Sequence, residues 1–131
     1  MELLPGVSEA LPILAERHRL IMVTKGDPEE QRDKLRRSGL EGYFSGVEVL
    51  LEKQETAYLE VAERHQCERE TTWMIGNSPK SDINPALAAG LNAVFVPHDF
   101  TWVLEHEVVD APPAGIRLLE LSSFRELLDH F

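Results

Sequence analysis

The stretch MIGNSPKSDINPALAAG, residues 74–90, runs from apolar residues into a polar turn holding Gly76, Asn77, Ser78 and Asp82, then into an alanine-rich segment. Parallel sheets place polar pockets in this way, beyond the carboxyl end of a strand. TTWMIG (71–76) reads as the buried strand that delivers the turn. The helix through Ala86–Ala89 ends at Gly90, and NAVFVP (92–97) reads as the next strand.

The same alternation extends in both directions. Val7, Ala10, Leu11 and Leu14 fall on one face of a helix over about 7–17, started near Gly6 or Ser8, with Pro12 predicting a late start or a kink. RLIMVT (19–24) is a short β-branched run suited to a buried parallel strand. Asp27 caps the following helix, Pro28 takes its first position, Glu30 completes a capping box and Gly39 stops it. YFSGVEVLL (43–51) reads as a strand. ETAYLEVAERHQ (55–66) reads as a helix with Ala57, Tyr58, Val61 and Ala62 inward. After an irregular stretch, IRLLEL gives a last strand and SSFRELLDHF a helix capped by Ser123 with Glu126. Helices and strands alternate with no hairpin signal, which predicts one α/β domain over 1–131: a three-layer, Rossmann-like parallel sheet with helices on both faces.

Composition narrows the function. A net charge of −10 argues against non-specific nucleic-acid binding. No apolar run approaches the length of a transmembrane helix, and the N-terminus has no basic n-region followed by an apolar stretch, so neither a membrane span nor a signal peptide is expected. Cys67 is the single cysteine, which excludes an internal disulfide and suits a reducing cytoplasm. His65, Cys67, His98 and His106 do not make a zinc spacing. Trp73 is expected in the core, Phe100 and Trp102 over the sheet, and RDKLRR (32–37) on a solvated helix face.

Three polar positions remain: Thr24 after a strand, Lys53 before a helix, and the Asn77–Asp82 turn. A hydroxyl and an ammonium can grip phosphoryl or carboxylate oxygens, and an acidic turn can hold a hard cation. Singly, each has a plainer reading. Thr24 can be a turn residue, Lys53 a solvated lysine, and Asp82 the cap of a helix starting near Ser81 or Asn84.

Together, LIMVTKG, LLEKQETAYLEV, MIGNSPKSDI and NPALAAGLNAVFVP resemble, in that order, the haloacid dehalogenase-like (HAD) hydrolase superfamily over nearly the whole chain. LLPGVSEALPIL resembles the segment where such chains re-enter the core after a cap domain. The resemblance implies an aspartyl-phosphate mechanism on a small phosphorylated metabolite. It implies that Thr24, Lys25, Gly26 and Lys53 hold the phosphate, with Lys53 also neutralising the nucleophile. It implies that Asn77 and Asp82 help to hold Mg²⁺.

Two departures qualify this. The family's Asp-x-Asp nucleophile motif should precede Thr24, yet residues 1–23 hold no Asp and the motif occurs nowhere in the chain. The central strand and the cap are missing with it, so the chain as given is expected to be inactive, a core fragment of a longer hydrolase. The alternative is a natural non-catalytic HAD-like protein that binds a partner or a phosphate ligand. The missing strand also leaves those ending at Thr24 and Gly76 to close directly on one another or to be covered in a homodimer. The second departure is Asn77, where the family carries Asp; an amide oxygen brings no charge and weakens the metal site. A response-regulator receiver domain would need its acidic pair first and its lysine late, the reverse of the order found.

Overall fold

The computed structural model describes residues 6–97 and 109–131. Glu2, His98, Phe100, Trp102 and His106 lie outside the described residues. The chain divides into two compact units, Met1–Glu52 with Ser123–Phe131, and Lys53–Ser122.

In the first unit, α1 (Val7–Arg17) leads into β1 (Ile21–Lys25), then α2 (Pro28–Ser38) and β2 (Gly46–Leu50). Helix α1 runs through Pro12 from Val7, so the predicted late start is not found. The amide that Pro12 lacks would have bonded Ser8, whose exposed first-turn carbonyl can reach water instead. Helix α2 begins and ends as predicted: Asp27 accepts from the Glu30 amide, Pro28 opens the helix and Gly39 closes it. RDKLRR is exposed as expected at Arg32, Asp33, Arg36 and Arg37, while Leu35 turns inward. Strands β1 and β2 pair in parallel from Ile21↔Gly46 to Lys25↔Leu50. β2 is shorter than predicted because Glu41–Tyr43 forms a 3-10 turn, and both the amide and the hydroxyl of Ser45 bond the Leu20 carbonyl before the ladder begins. Leu11, Leu35 and Leu40 form the core, with Val7, Leu20, Met22, Phe44 and Val47 against it.

The second unit holds α3 (Glu55–Arg64), β3 (Trp73–Gly76), a π-helical turn (Pro79–Ile83), α4 (Asn84–Ala88), β4 (Asn92–Phe95) and β5 (Leu118–Glu120). Its sheet is parallel throughout, in the order β3-β4-β5. Tyr58, Val61 and Ala62 of α3 are buried as predicted. Ile83, Leu87, Ala93 and Phe95 form the core, with Val109, Ile116 and Leu118 against it. Trp73 is half-buried, and the Arg117 guanidinium lies 4.8 Å from its ring centroid.

Every residue of β4 is buried, including Asn92. Its amide nitrogen lies within reach of the carbonyls of Arg69 (3.4 Å), Glu70 (3.0 Å) and Thr72 (3.3 Å), and its oxygen accepts from the Arg117 amide at 2.9 Å. One side chain thus serves the segments on both sides of β4, and this satisfies a polar group that would otherwise be costly to bury.

Further sequence expectations change. Phe124–Asp129 is 3-10 rather than α-helical, and Ser123 makes no side-chain cap, because the Glu126 amide bonds the Ser123 backbone carbonyl instead. Strand β1 pairs with β2, and β3 with β4, in two separate sheets, so direct β1–β3 closure is not among the ladders of the described residues.

Replacing Asn92 by Ala should cost about 1–2 kcal/mol, since it removes the bond to the Arg117 amide and those to the carbonyls of Arg69, Glu70 and Thr72, each of which keeps another donor. Urea denaturation of the variant measures this; a loss under 0.5 kcal/mol would show that the bonds contribute little.

Candidate functional site

Asp82 is the focus of the second unit. After β3 ends at Gly76, the amides of Asp82 and Ile83 both bond the Ser78 carbonyl, at 2.9 and 3.1 Å, the second closing the wide π turn. Ser78 caps this turn, its hydroxyl accepting from the Ser81 amide at 3.0 Å. Asp82 is therefore not a helix cap. The turn carries its carboxylate back to the strand end, where Oδ2 accepts from the amides of Asn77 and Ser78, each at 3.2 Å. Oδ1 accepts from Lys53 Nζ at 2.7 Å. The Asp82 side chain is 6% exposed and that of Lys53 18%. Burial at this level makes the pair unlike a solvated surface ion pair, because the carboxylate is almost out of reach of bulk water and the ammonium only partly within it.

Two further residues hold this arrangement, and neither is named as functional by the sequence reading. A β-carbon built on Gly76 would come within 2.6 Å of the Asp82 carboxyl carbon, so the absence of a side chain there makes room for the carboxylate. Tyr58, buried on α3, donates its hydroxyl to the Ser81 carbonyl at 2.8 Å. Burial, and then the Asp82 charge, push its phenol above the ordinary tyrosine value. Sequence periodicity places Tyr58 inward but gives no sign of its polar contact. A signal for Gly76 does exist: a glycine ending an apolar strand marks a close approach.

The first unit carries Thr24, Lys25 and Gly26 at the end of β1. The Thr24 hydroxyl donates to Gln31 Oε1 at 3.1 Å. Lys25 pairs with Glu52 at 3.0 Å, both well exposed. Gly26 has φ 138°, in the region that favours glycine, and its amide bonds the Leu50 carbonyl at 3.3 Å. The Gln31 amide lies where a Gly26 side chain would be. Sequence reasoning passed over Gln31, since a glutamine in a polar helix turn carries no periodic signal. Lys53, Asn77 and Asp82 thus meet at one strand end within the second unit, while Thr24, Lys25 and Gly26 form one loop of the first.

The model of the haloacid dehalogenase-like hydrolase family matches residues 1–96. No curated protein matches the chain. Among solved structures, a haloacid dehalogenase-like family hydrolase from Xanthomonas campestris is similar, with a TM-score of 0.81 and 29% identity, over 98% of this chain and 53% of that one. The HAD-hydrolase YfnB from Bacillus subtilis, solved bound to magnesium, gives a TM-score of 0.78 and 25% identity, over 98% and 55%. A HAD phosphatase from Thermococcus onnurineus shares the fold, with a TM-score of 0.75 and 23% identity, over 98% and 58%. The chain spans somewhat over half the length of these three.

Gly76→Ala should force the turn away from β3 and cost about 3 kcal/mol; an unchanged melting transition, with Asn77 and Ser78 amide shifts like wild type, would refute the close approach. Tyr58→Phe should cost about 1 kcal/mol near neutral pH. The raised phenol pKa also fixes a sign. The unfolded phenol ionises near pH 10 while the folded one stays neutral, so wild-type stability should fall as pH rises above about 10. The pH dependence of urea unfolding in wild type and Y58F checks this: the wild type should lose part of its advantage at alkaline pH.

Proposed function

Since the chain belongs to the haloacid dehalogenase-like hydrolase family, we propose that it is the core of a hydrolase of the phosphatase type acting on a small phosphorylated molecule. The buried Lys53–Asp82 pair carries this reading. It fixes an ammonium at the carboxyl end of β3, where α/β sheets bind ligands. Lys53 is there to balance phosphoryl charge, and Thr24, Lys25 and Gly26 supply the hydroxyl, cation and backbone of a phosphate-holding loop. The aspartyl-phosphate route needs a carboxylate nucleophile ahead of Thr24, and residues 1–23 offer only Glu2, Glu9 and Glu16. On this reading the chain by itself forms no covalent intermediate.

Magnesium, which the family implies, would be held weakly by the described residues alone. Mg²⁺ takes six oxygen ligands, of which a protein usually supplies one or two carboxylates and water or substrate phosphate the rest. Among the described residues no group of three or more His, Cys, Asp or Glu gathers for it, so Asp82 and Asn77 are what the chain offers. Asp82 is already engaged by an ammonium and two amides, and Asn77 could add one neutral oxygen.

The satisfied Asp82 also favours the second reading, a HAD-like protein that binds a phosphate ligand or a partner without turnover. On either reading we place the protein in the cytoplasm, away from nucleic acid. No helix among the described residues is long and apolar enough to cross a membrane. A homodimer that covers the second edges of β1 and β3 is part of the proposal, since parallel strands are usually paired on both sides.

Purified chain assayed with p-nitrophenyl phosphate and Mg²⁺ should show no turnover above background. Turnover that Lys53→Met abolishes, with the fold retained by circular dichroism, would overturn the inactive reading. An in-frame Asp-x-Asp encoded upstream of Met1 would favour the hydrolase core over the non-catalytic protein.

A further inference from the structure

We propose that Tyr58 is a positioning residue of the Lys53–Asp82 site, its hydroxyl standing in for a backbone donor that Pro85 withholds from the turn carrying Asp82. The inference deepens the reading of Lys53 as the group that balances phosphoryl charge, and it rests on that reading for its functional sense.

The turn after β3 runs directly into α4. In an α-helix the Ser81 carbonyl would accept from the amide four residues on. That residue is Pro85, which has no N–H to give. The amides just before it reach further back than an α-helix requires, Ile83 to the Ser78 carbonyl and Asn84 to that of Pro79. The donor for Ser81 comes instead from another element: Tyr58 of α3 gives its hydroxyl proton to the Ser81 carbonyl at 2.8 Å. Ser81 immediately precedes Asp82, so a bond at Ser81 bears directly on where the carboxylate lies.

The phenol suits this task because it is a fixed donor. Tyr58 is 2% exposed, and burial first, then the Asp82 charge, keeps its proton on well above the ordinary tyrosine range. Lys53 is the opposite kind of group, an ammonium on a flexible four-carbon stem. Its contact with Asp82 Oδ1 at 2.7 Å is defined only as well as the turn that presents the carboxylate. Tyr58 ties that turn to α3, the helix that begins at Glu55, just after Lys53. Phenylalanine would keep the buried ring and leave the Ser81 carbonyl without this donor.

Hydrogen exchange of the Asn77 and Ser78 amides, both of which donate to Asp82 Oδ2, reads the position of the carboxylate. Tyr58→Phe should speed exchange at both about fivefold, the scale of one neutral hydrogen bond. Val61→Ala is the structural control: it trims a buried side chain of the same helix and leaves the hydroxyl in place. It should speed exchange of the Ala93 amide in the sheet and leave Asn77 and Ser78 close to wild type. Pro85→Ala gives Ser81 a backbone donor, so in that background Y58F should change the two amides by less than about twofold. If Y58F speeds Asn77 and Ser78 no more than V61A does, or acts equally with and without Pro85, the inference fails. Inorganic phosphate, titrated against the same amides, separates this from the phosphate reading. Wild type should bind saturably and Y58F more weakly. No saturable binding by wild type would sink the phosphate reading, while the exchange rates still decide the role of Tyr58.

Discussion

A carboxylate out of water must be balanced, and much of the second unit is arranged around balancing Asp82. Moving an ionised group into a protein interior costs several kcal/mol unless charge and hydrogen bonds replace its hydration. Here one ammonium and two backbone amides do so. Each requires something of the chain. The amides need the turn after β3 to fold back, the ammonium needs Lys53 just ahead of α3, and the space between needs Gly76. The π turn is what reconciles them. An ordinary α-turn closes four residues back, whereas the bond from Ile83 to Ser78 widens the turn by one residue and redirects Asp82 toward the strand.

On the proposed reading this dependence has a functional sense. An ammonium held against a buried carboxylate is oriented before any ligand arrives, and preorganised charge of this kind stabilises developing negative charge with little reorganisation. Tyr58 joins the arrangement from α3, so the helix that follows Lys53 is hydrogen-bonded to the turn that carries Asp82.

Much of this was legible in the sequence. The alternation of apolar strands with capped amphipathic helices gave the α/β class, because periodicity and caps are local properties. Asp27, Pro28 and Gly39 bounded α2 correctly for that reason. Thr24, Lys53 and Asp82 stand out because Thr24 ends an apolar strand, Lys53 precedes a helix and Asp82 lies in the polar turn that follows a strand. What stayed hidden was relational. Gln31 matters through a contact seven residues away, Tyr58 through one at twenty-three, and neither separation leaves a pattern. Ser123 shows the converse: its capping sequence is present, but a 3-10 bond to its backbone carbonyl takes the amide that the side chain would have used.

Asn92 has a wider consequence. Strands that run parallel have no tight hairpin to set how they align, and a one-residue slip would invert every side chain of β4. Ala93, Val94 and Phe95 are all buried, so apolar character alone does not distinguish one face of β4 from the other. Asn92 adds what they lack, since its amide meets carbonyls twenty to twenty-three positions earlier and its oxygen meets an amide twenty-five positions later. A single polar side chain in an otherwise apolar strand thus acts as an alignment key for three strands. By fixing β3 against β4 it also sets the height at which Gly76, and the turn beyond it, emerge from the sheet.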